Sequence, residues 1–348
     1  MRKSQVAPSA AVDPLSIQGL PFSHFHVLIN EWGGKEAVAG MTTAKVCETF
    51  IKPMTRDGGK SLCATYAEGC NIERQGLLGK ADWFVSHSWG SPFLDTVNAL
   101  DDFFSDKGLD LDKTMVWFDL FSNGQHDTGS KPFDWWKTTF LQAVEAIGRV
   151  VMILMPWRDP VPLKRAWCVY ELYACHLTRS RFEFAVTRAE KAAFMDWLFW
   201  HVESFFLELQ QVGCAQSQAT KASDRKAIFA VIKSGIGFVK LDLLVLNTVR
   251  EWVRIQIQRK IKNEPSVNRG WLEVYKEFRE VENAFDDAVR RATKLFGTRN
   301  PHLLRFGSYG MAREESIEQK TVRLSKIVRK QRWQSWKKRF IICARKED

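Results

Sequence analysis

Several familiar signatures are missing from this 348-residue chain. It has no Gly-x-Gly-x-x-Gly run and no complete Gly-x-x-x-x-Gly-Lys-Ser/Thr loop, which disfavours an ordinary dinucleotide-fold dehydrogenase and a P-loop NTPase. It has no Cys-x-x-Cys pair. Its seven cysteines, an odd number, are scattered, which fits reduced thiols in a cytosolic compartment better than a disulfide framework. Cys168, Cys175 and His176 read as small or surface residues of a core helix rather than metal ligands. No apolar stretch is long enough to cross a bilayer: Ile147–Met155 is short and carries Arg149, and Ile236–Val249 is broken by Lys240 and Asp242. The N-terminus lacks the apolar run of a secretory signal and is expected to be a disordered leader. No internal repeat points to a helical solenoid.

What is present places the chain in the ordinary globular class, 45% hydrophobic and 26% charged. The formal charge of +11 is unevenly spread. From Lys320 to Asp348 there are eleven Lys/Arg against two acids, which leaves residues 1–319 close to neutral. In Lys320–Lys346 these cations interleave with Val322, Leu324, Ile327, Val328, Trp333, Trp336, Phe340, Ile341 and Ile342, the pattern of a basic amphipathic helix. Such a helix fits an anionic membrane surface or calmodulin; its plain alternative is a solvated helix packed on the body. Nucleic acid is disfavoured, because no groove-reading motif accompanies the charge.

Five segments follow along the chain: a leader over 1–19, a small helical preface over 20–80, an α/β domain over 81–190, a helical extension over 191–265, and a helical region ending in the basic tail over 266–348. In the preface, Thr42 or Thr43 caps a helix running through Val46 and Phe50 to Pro53, and Ser61 caps a short one ending at Gly69. From Ala81, apolar runs at Asp82–His87, Thr114–Asp119, Arg149–Met155 and Phe182–Val186 alternate with helical spacing over Phe93–Phe104 and Trp136–Ile147. A third helix is expected to open at Asp159-Pro160. Continuously apolar strands alternating with helices imply a doubly wound parallel sheet covered on both faces. Residues 120–137 form a long polar loop. Beyond Arg188 only helices are expected: Ala192–Val212, Ser223–Ser234, Phe238–Ile261, Trp271–Phe296 and Arg313–Ala344.

The organising stretch is Arg165–Cys175, apolar almost all round, with Glu171 as its one acid. A carboxylate on a buried helix is expensive unless it is hydrogen-bonded, paired or used. Burial raises its pKa, and a cation such as Arg158 or Arg165 opposes the rise. In an open parallel sheet, ligands bind outside the carboxyl ends of the strands. That edge collects Ser86, His87, Ser88 and Trp89 after the first strand, Asp119 after the second, and Trp157, Arg158 and Asp159 after the third. Hydroxyls and carboxylates suit ribose, an arginine suits phosphate, and indoles suit stacking. The plain alternatives are that Glu171 braces loop amides, that His87 and Asp119 are satisfied structural groups, and that Trp167 is core packing beneath the site.

At these residues the chain resembles a known family. Trp167-Cys168-x-x-Glu171-Leu172 resembles the Trp-Cys-x-x-Glu-Leu helix of Toll/interleukin-1 receptor (TIR) domains. Asp82-Trp83-Phe84-Val85-Ser86 is similar to that family's opening strand, and Val116-Trp117-Phe118-Asp119 to its second, while the 120–137 loop falls where the family's variable loop falls. The fuller run, with Gln125-His126 and Pro156-Trp157-x-Asp159-Pro160, looks like a divergent TIR-like group of protists and algae. The resemblance covers 81–187, and it implies a flavodoxin-like sheet carrying a C-terminal helical extension. It also implies one of two jobs. Some members cleave NAD+ at the nicotinamide–ribose bond through the helix glutamate, which falls on Glu171. NAD+ is then a substrate rather than a tightly bound cofactor, no metal is implied, and Ser86, His87, Trp89, Asp119 and Arg158 line the pocket. Others are non-enzymatic signalling modules that self-associate. Either way the protein is expected in the cytoplasm, or peripherally at a membrane through its tail.

Overall fold

A computed structural model describes residues 17–69, 72–126, 131–209, 213–263 and 268–296. These fall into two compact units, one running to Glu190 together with Ser217–Ala230, the other Lys191–Gln216 together with the chain from Val231. The leader up to residue 16, the expected helix Arg313–Ala344 and the basic tail lie outside the described residues.

The first unit is a mixed α/β structure built on a six-stranded, mostly parallel sheet. Its strands are β1 (Gln18–Pro21), β2 (Gly79–Lys80), β3 (Trp83–Ser86), β4 (Met115–Trp117), β5 (Arg149–Ile153) and β6 (Arg181–Ala185), in the order β2-β1-β4-β3-β5-β6. The strands β3 to β6 pair in parallel, with Phe84 opposite both Trp117 and Val150, and Ser86 opposite Met152. They are the four apolar runs of the sequence, each trimmed at its polar ends. β1 is antiparallel to both β4 and β2, and neither β1 nor β2 is anticipated from the sequence. Gln18 and Gly19, counted with the leader, therefore belong to the sheet. Gly19 is required there: a Cβ would sit 2.3 Å from the Val116 carbonyl oxygen. Pro21 is tolerated because the strand is short and ends with it.

Helices cover both faces. On one, Trp83, Val85, Phe118, Val151, Ile153 and Ala185 pack with α1 (Phe22–Glu31) and with the Phe93, Val97, Leu100 and Phe104 stripe of α3 (Phe93–Asp106). Between these helices, α2 (Leu62–Glu68) is capped by Ser61, whose hydroxyl accepts from Ala64 N at 3.0 Å, and Thr42 likewise accepts from Lys45 N at 3.2 Å. The helix that Thr42 starts widens into a π-helical turn over Cys47–Ile51. On the opposite face, Phe84 and Trp117 stack at 4.4 Å and both meet Phe140 of α4 (Phe133–Ile147) edge-on at about 6 Å. That alternation is the period-2 geometry of strands, with each fully buried ring contributing on the order of 2–3 kcal/mol.

α5 (Ala166–Thr178) packs on the α4 face, buried at nine consecutive turns-worth of mostly apolar positions from Ala166 to Cys175 apart from Trp167. Tyr170 donates its hydroxyl proton to the Lys137 carbonyl at 3.1 Å, tying α5 to α4. The helix does not open at Asp159-Pro160 as the sequence implies. Val161–Lys164 forms a 3-10 turn, and Asp159 pairs with Lys164 instead of capping. Arg165 stays extended because a parallel bridge holds it against Gln218: Gln218 N donates to Lys164 O at 2.7 Å, and Ala166 N to Gln218 O at 2.8 Å. The distant carbonyl satisfies the first orphan amide of α5 and sets its start.

The second unit, within the described residues, is helical. The expected helix Ala192–Val212 is two, α6 (Arg188–Leu198, which enters from the first unit) and α7 (Val202–Leu209). His201 ends the first by stacking on Trp197 and hydrogen-bonding its carbonyl at 2.8 Å. α8 (Ala222–Ser234) leads to α9 (Phe238–Asn263), which packs along α10 (Asn268–Phe296). Phe205, Phe206, Phe278 and Phe285 form its aromatic centre. Among the described residues, no helix is long and apolar enough to cross a membrane.

Candidate functional site

The chain after β3 turns to α3 on one face, whereas the chain after β4 and β5 turns to α4 and α5 on the other. The carboxyl end of β3 is therefore a topological switch point, where open α/β sheets bind ligands. Ser86 ends β3, and His87, Ser88 and Trp89 follow it; Ser86, His87 and Ser88 are at most 6% exposed. Asp119 starts a helical turn, Asp119–Ser122, two residues beyond β4. Glu171 sits in the second turn of α5 at 7% exposure.

These groups meet. The Trp89 indole donates to Asp119 Oδ2 at 2.6 Å, and His87 Nδ1 stands 3.7 Å from Asp119 Oδ1. The His87 ring stacks on Phe118 at 4.4 Å, and the Cys168 thiol donates to the His87 carbonyl at 3.4 Å. Ser86 lies against Glu171 and Cys168. Gln125, buried in the loop after β4, pins the Asp119 turn: its amide nitrogen faces the carbonyls of Asp119 at 2.7 Å, Asn123 at 2.9 Å and Leu120 at 3.3 Å. The preface braces the other loop, with Ala44 N donating to Trp89 O at 3.0 Å and Thr43 N to Ser91 O at 3.1 Å.

Burial dominates the electrostatics. It pushes Glu171 up to about 8; the Ser86 hydroxyl eases that shift, the Asp119 carboxyl adds to it, and Arg165 opposes it. It pushes Asp119 up to about 7 against the Trp89 indole, the Leu120 amide and Arg165. It pulls His87 down to about 3, with Arg165 adding to the fall, so the imidazole is neutral at physiological pH. The Cys168 thiol is driven well above its ordinary range, so it stays protonated.

Five buried polar atoms here have no hydrogen-bond partner: Ser86 Oγ, His87 Nε2, Ser88 Oγ, Asp119 Oδ1 and Glu171 Oε2. The Ser86 hydroxyl, though close to Glu171, does not reach hydrogen-bonding geometry. Each such orphan costs about 1–3 kcal/mol, and folded proteins seldom gather several in one place without a use.

Of the residues singled out in the sequence, Ser86, His87, Trp89, Asp119 and Glu171 converge. Arg158 does not join them: it is exposed with its guanidinium 4.9 Å over the Trp157 ring. The cation acting on Glu171, Asp119 and His87 is Arg165. Arg165, Cys168 and Glu171 are spaced i, i+3, i+6, one helical face, which is the signal that favours Arg165 over Arg158. Gln125 gives no such signal, being one polar residue in a polar loop. Trp167 is half-buried between Phe133, Phe140 and Tyr170, with its indole donating to Asp224 at 3.4 Å. Cys168 and Cys175 are buried while His176 is exposed, and among the described residues no group of three or more His, Cys, Asp or Glu is arranged to hold a metal. Compared with protein-family models, with curated proteins and with solved structures, the chain has no match.

Proposed function

We propose that the first unit is a flavodoxin-like, TIR-like domain that hydrolyses the nicotinamide–ribose bond of NAD+, with Glu171 catalytic and Ser86, His87, Trp89 and Asp119 lining the pocket. The fold reading is supported by strand order: taken alone, the parallel strands β4-β3-β5-β6 run second-first-third-fourth, as the flavodoxin order 2-1-3-4-5 begins. The chemical reading rests on the five unpartnered polar atoms gathered at the switch point. A ligand with sugar hydroxyls and a carboxamide supplies the missing partners.

When nicotinamide leaves, the electron pair of the N-glycosidic bond moves onto the pyridinium ring, which becomes neutral, and positive charge develops on the ribosyl carbon. A fixed carboxylate stabilises that charge. Water then captures the ribosyl carbon and gives up a proton, releasing ADP-ribose. Glu171 is buried, with one oxygen unpartnered, and an arriving cation favours its ionisation. Neutral His87 offers one donor and one acceptor nitrogen, the complement of a carboxamide. Arg158 has no part in this assignment.

The test is nicotinamide release from NAD+ by the purified protein and by Glu171→Gln, at concentrations high enough for self-association to be complete. The expected result is release that falls at least about 100-fold in the variant. No release by the wild type refutes the enzyme reading in favour of a non-enzymatic, self-associating module. Equal release by the variant refutes the role of Glu171.

A further inference from the structure

Two carboxyls, Asp119 and Glu171, share this buried end of the sheet with one arginine acting on both. The Trp89 indole holds Asp119 Oδ2 at 2.6 Å, so that Oδ1 is left without a hydrogen bond beside His87. Glu171 Oε2 is likewise unpartnered, and fully buried Ser86, against Glu171, has an unpartnered Oγ. We propose that the two carboxyls act as a pair that holds one proton between them when the site is empty, and that a cationic ring entering the site displaces this proton. Ligand binding is thereby coupled to proton release, and the site selects the oxidised, positively charged dinucleotide over the reduced one. This rests on the NAD+ reading and adds to it a defined role for Asp119 in substrate choice.

Charge balance requires this behaviour. Arg165, at the start of α5, offsets one buried negative charge. A second negative charge in the same low-dielectric space must be neutralised by a proton or met by a cation from outside. The other titratable groups facing the pair cannot supply either. From the β3 loop, His87 is neutral down to about pH 3. From α5, the Cys168 and Cys175 thiols are driven up by burial, and from the π-helical turn the Cys47 thiol is pushed up to about 11. Around neutrality only the two carboxyls titrate, one up at about 7 and the other at about 8. At a pH of about 7.5 such a pair carries about one proton, and by about pH 9.5 almost none.

The probe is carbocyclic NAD+, in which a methylene replaces the ring oxygen of the nicotinamide ribose. It keeps the pyridinium charge but cannot form the oxocarbenium ion, so it is not consumed. Calorimetric titration in buffers of different ionisation enthalpy counts the protons released. The expected release is about one proton at a pH of about 7.5, falling to near zero at about pH 9.5, with NADH binding at least tenfold more weakly and releasing none. In Asp119→Asn, whose folding is checked by its thermal transition, release at about pH 7.5 falls below half a proton, because Glu171 loses the neighbouring charge that helps raise it. Carbocyclic NAD+ that binds without releasing protons, or with the same release at both pH values, overturns the proton-sharing pair and leaves the NAD+ reading standing. Equal affinity for NADH overturns the charge selection. No binding of carbocyclic NAD+ at all overturns the NAD+ reading, and the pair's role with it.

Discussion

Replacing Glu171 by Gln should stabilise the fold, and increasingly so as pH rises. The folded-state carboxyl is pushed from an ordinary 4.5 up to about 8, chiefly by burial. Between those values the folded protein keeps a proton that the unfolded chain has lost, so wild-type stability falls as pH climbs from about 4.5 to about 8. A shift of that size corresponds to about 5 kcal/mol once both states are ionised, and water drawn in with the charge lowers it to about 2–5 kcal/mol. Gln keeps the shape and does not titrate. The contribution of Asp119, raised from 3.8 to about 7, has the same sign and is present in both proteins, so it largely cancels from the difference. For a unit of this size each kcal/mol is worth about 2–4 °C in Tm. Thermal unfolding of both proteins at pH values of about 5, 7 and 9 should therefore give nearly equal Tm at the acid end, with Glu171→Gln higher by about 4 °C or more at the alkaline end. A Tm difference that does not change with pH, or a variant less stable at alkaline pH, would show a satisfied structural carboxyl and refute the argument from the unpartnered oxygen. A residue that costs stability in place is the signature of one retained for chemistry.

Three further outcomes follow from the same geometry. Trp89→Phe keeps a ring near His87 but removes the donor to Asp119 Oδ2, so nicotinamide release should fall about 10- to 100-fold at neutral pH, with the ionisation of Asp119 moved to higher pH in the rate profile; an unchanged profile would show that the indole does not tune Asp119. Gln125→Ala leaves the Asp119, Leu120 and Asn123 carbonyls short of a donor and should cost about 1–3 kcal/mol by urea unfolding, a loss that Gln125→Glu does not rescue because a carboxylate cannot donate. Cys47, Cys63, Cys168, Cys175 and Cys214 are buried with their thiols raised, so an aromatic disulfide reagent at mildly alkaline pH should label them only on unfolding; rapid labelling of Cys168 in the native protein, mapped by mass spectrometry, would show the site open to solvent.

How much of this was legible in the sequence depends on the range of the forces involved. The strands β3 to β6 are legible because a parallel strand buried on both faces must be apolar at every position, and such runs stand out locally. β1 is hidden for the opposite reason: Gln18-Gly19-Leu20-Pro21 has a linker's composition, and its glycine is explained only by the approach of Val116 almost a hundred residues away. The start of α5 is misread because Asp159-Pro160 is a sound local signal, overruled by Gln218, more than fifty residues on, which fixes the backbone at Arg165.

The same division runs through the site. Ser86, His87, Trp89 and Asp119 are legible as residues leaving the carboxyl ends of strands, and Glu171 as a charge on a helix that is otherwise apolar. Choosing Arg165 over Arg158 needs the true beginning of α5, since only a helix that starts after Arg165 puts that side chain on the Glu171 face. The role of Gln125 needs the loop itself, because its three carbonyl partners are all within six residues yet any polar residue there looks alike in sequence. Glu171 could be flagged from sequence because it breaks the rule that buried helices are apolar; its pairing with Asp119 arises only when two strands far apart in the chain end side by side. A functional site is where consistency between local preference and global structure is relaxed, so its anomalies are visible early and the partners that explain them appear last.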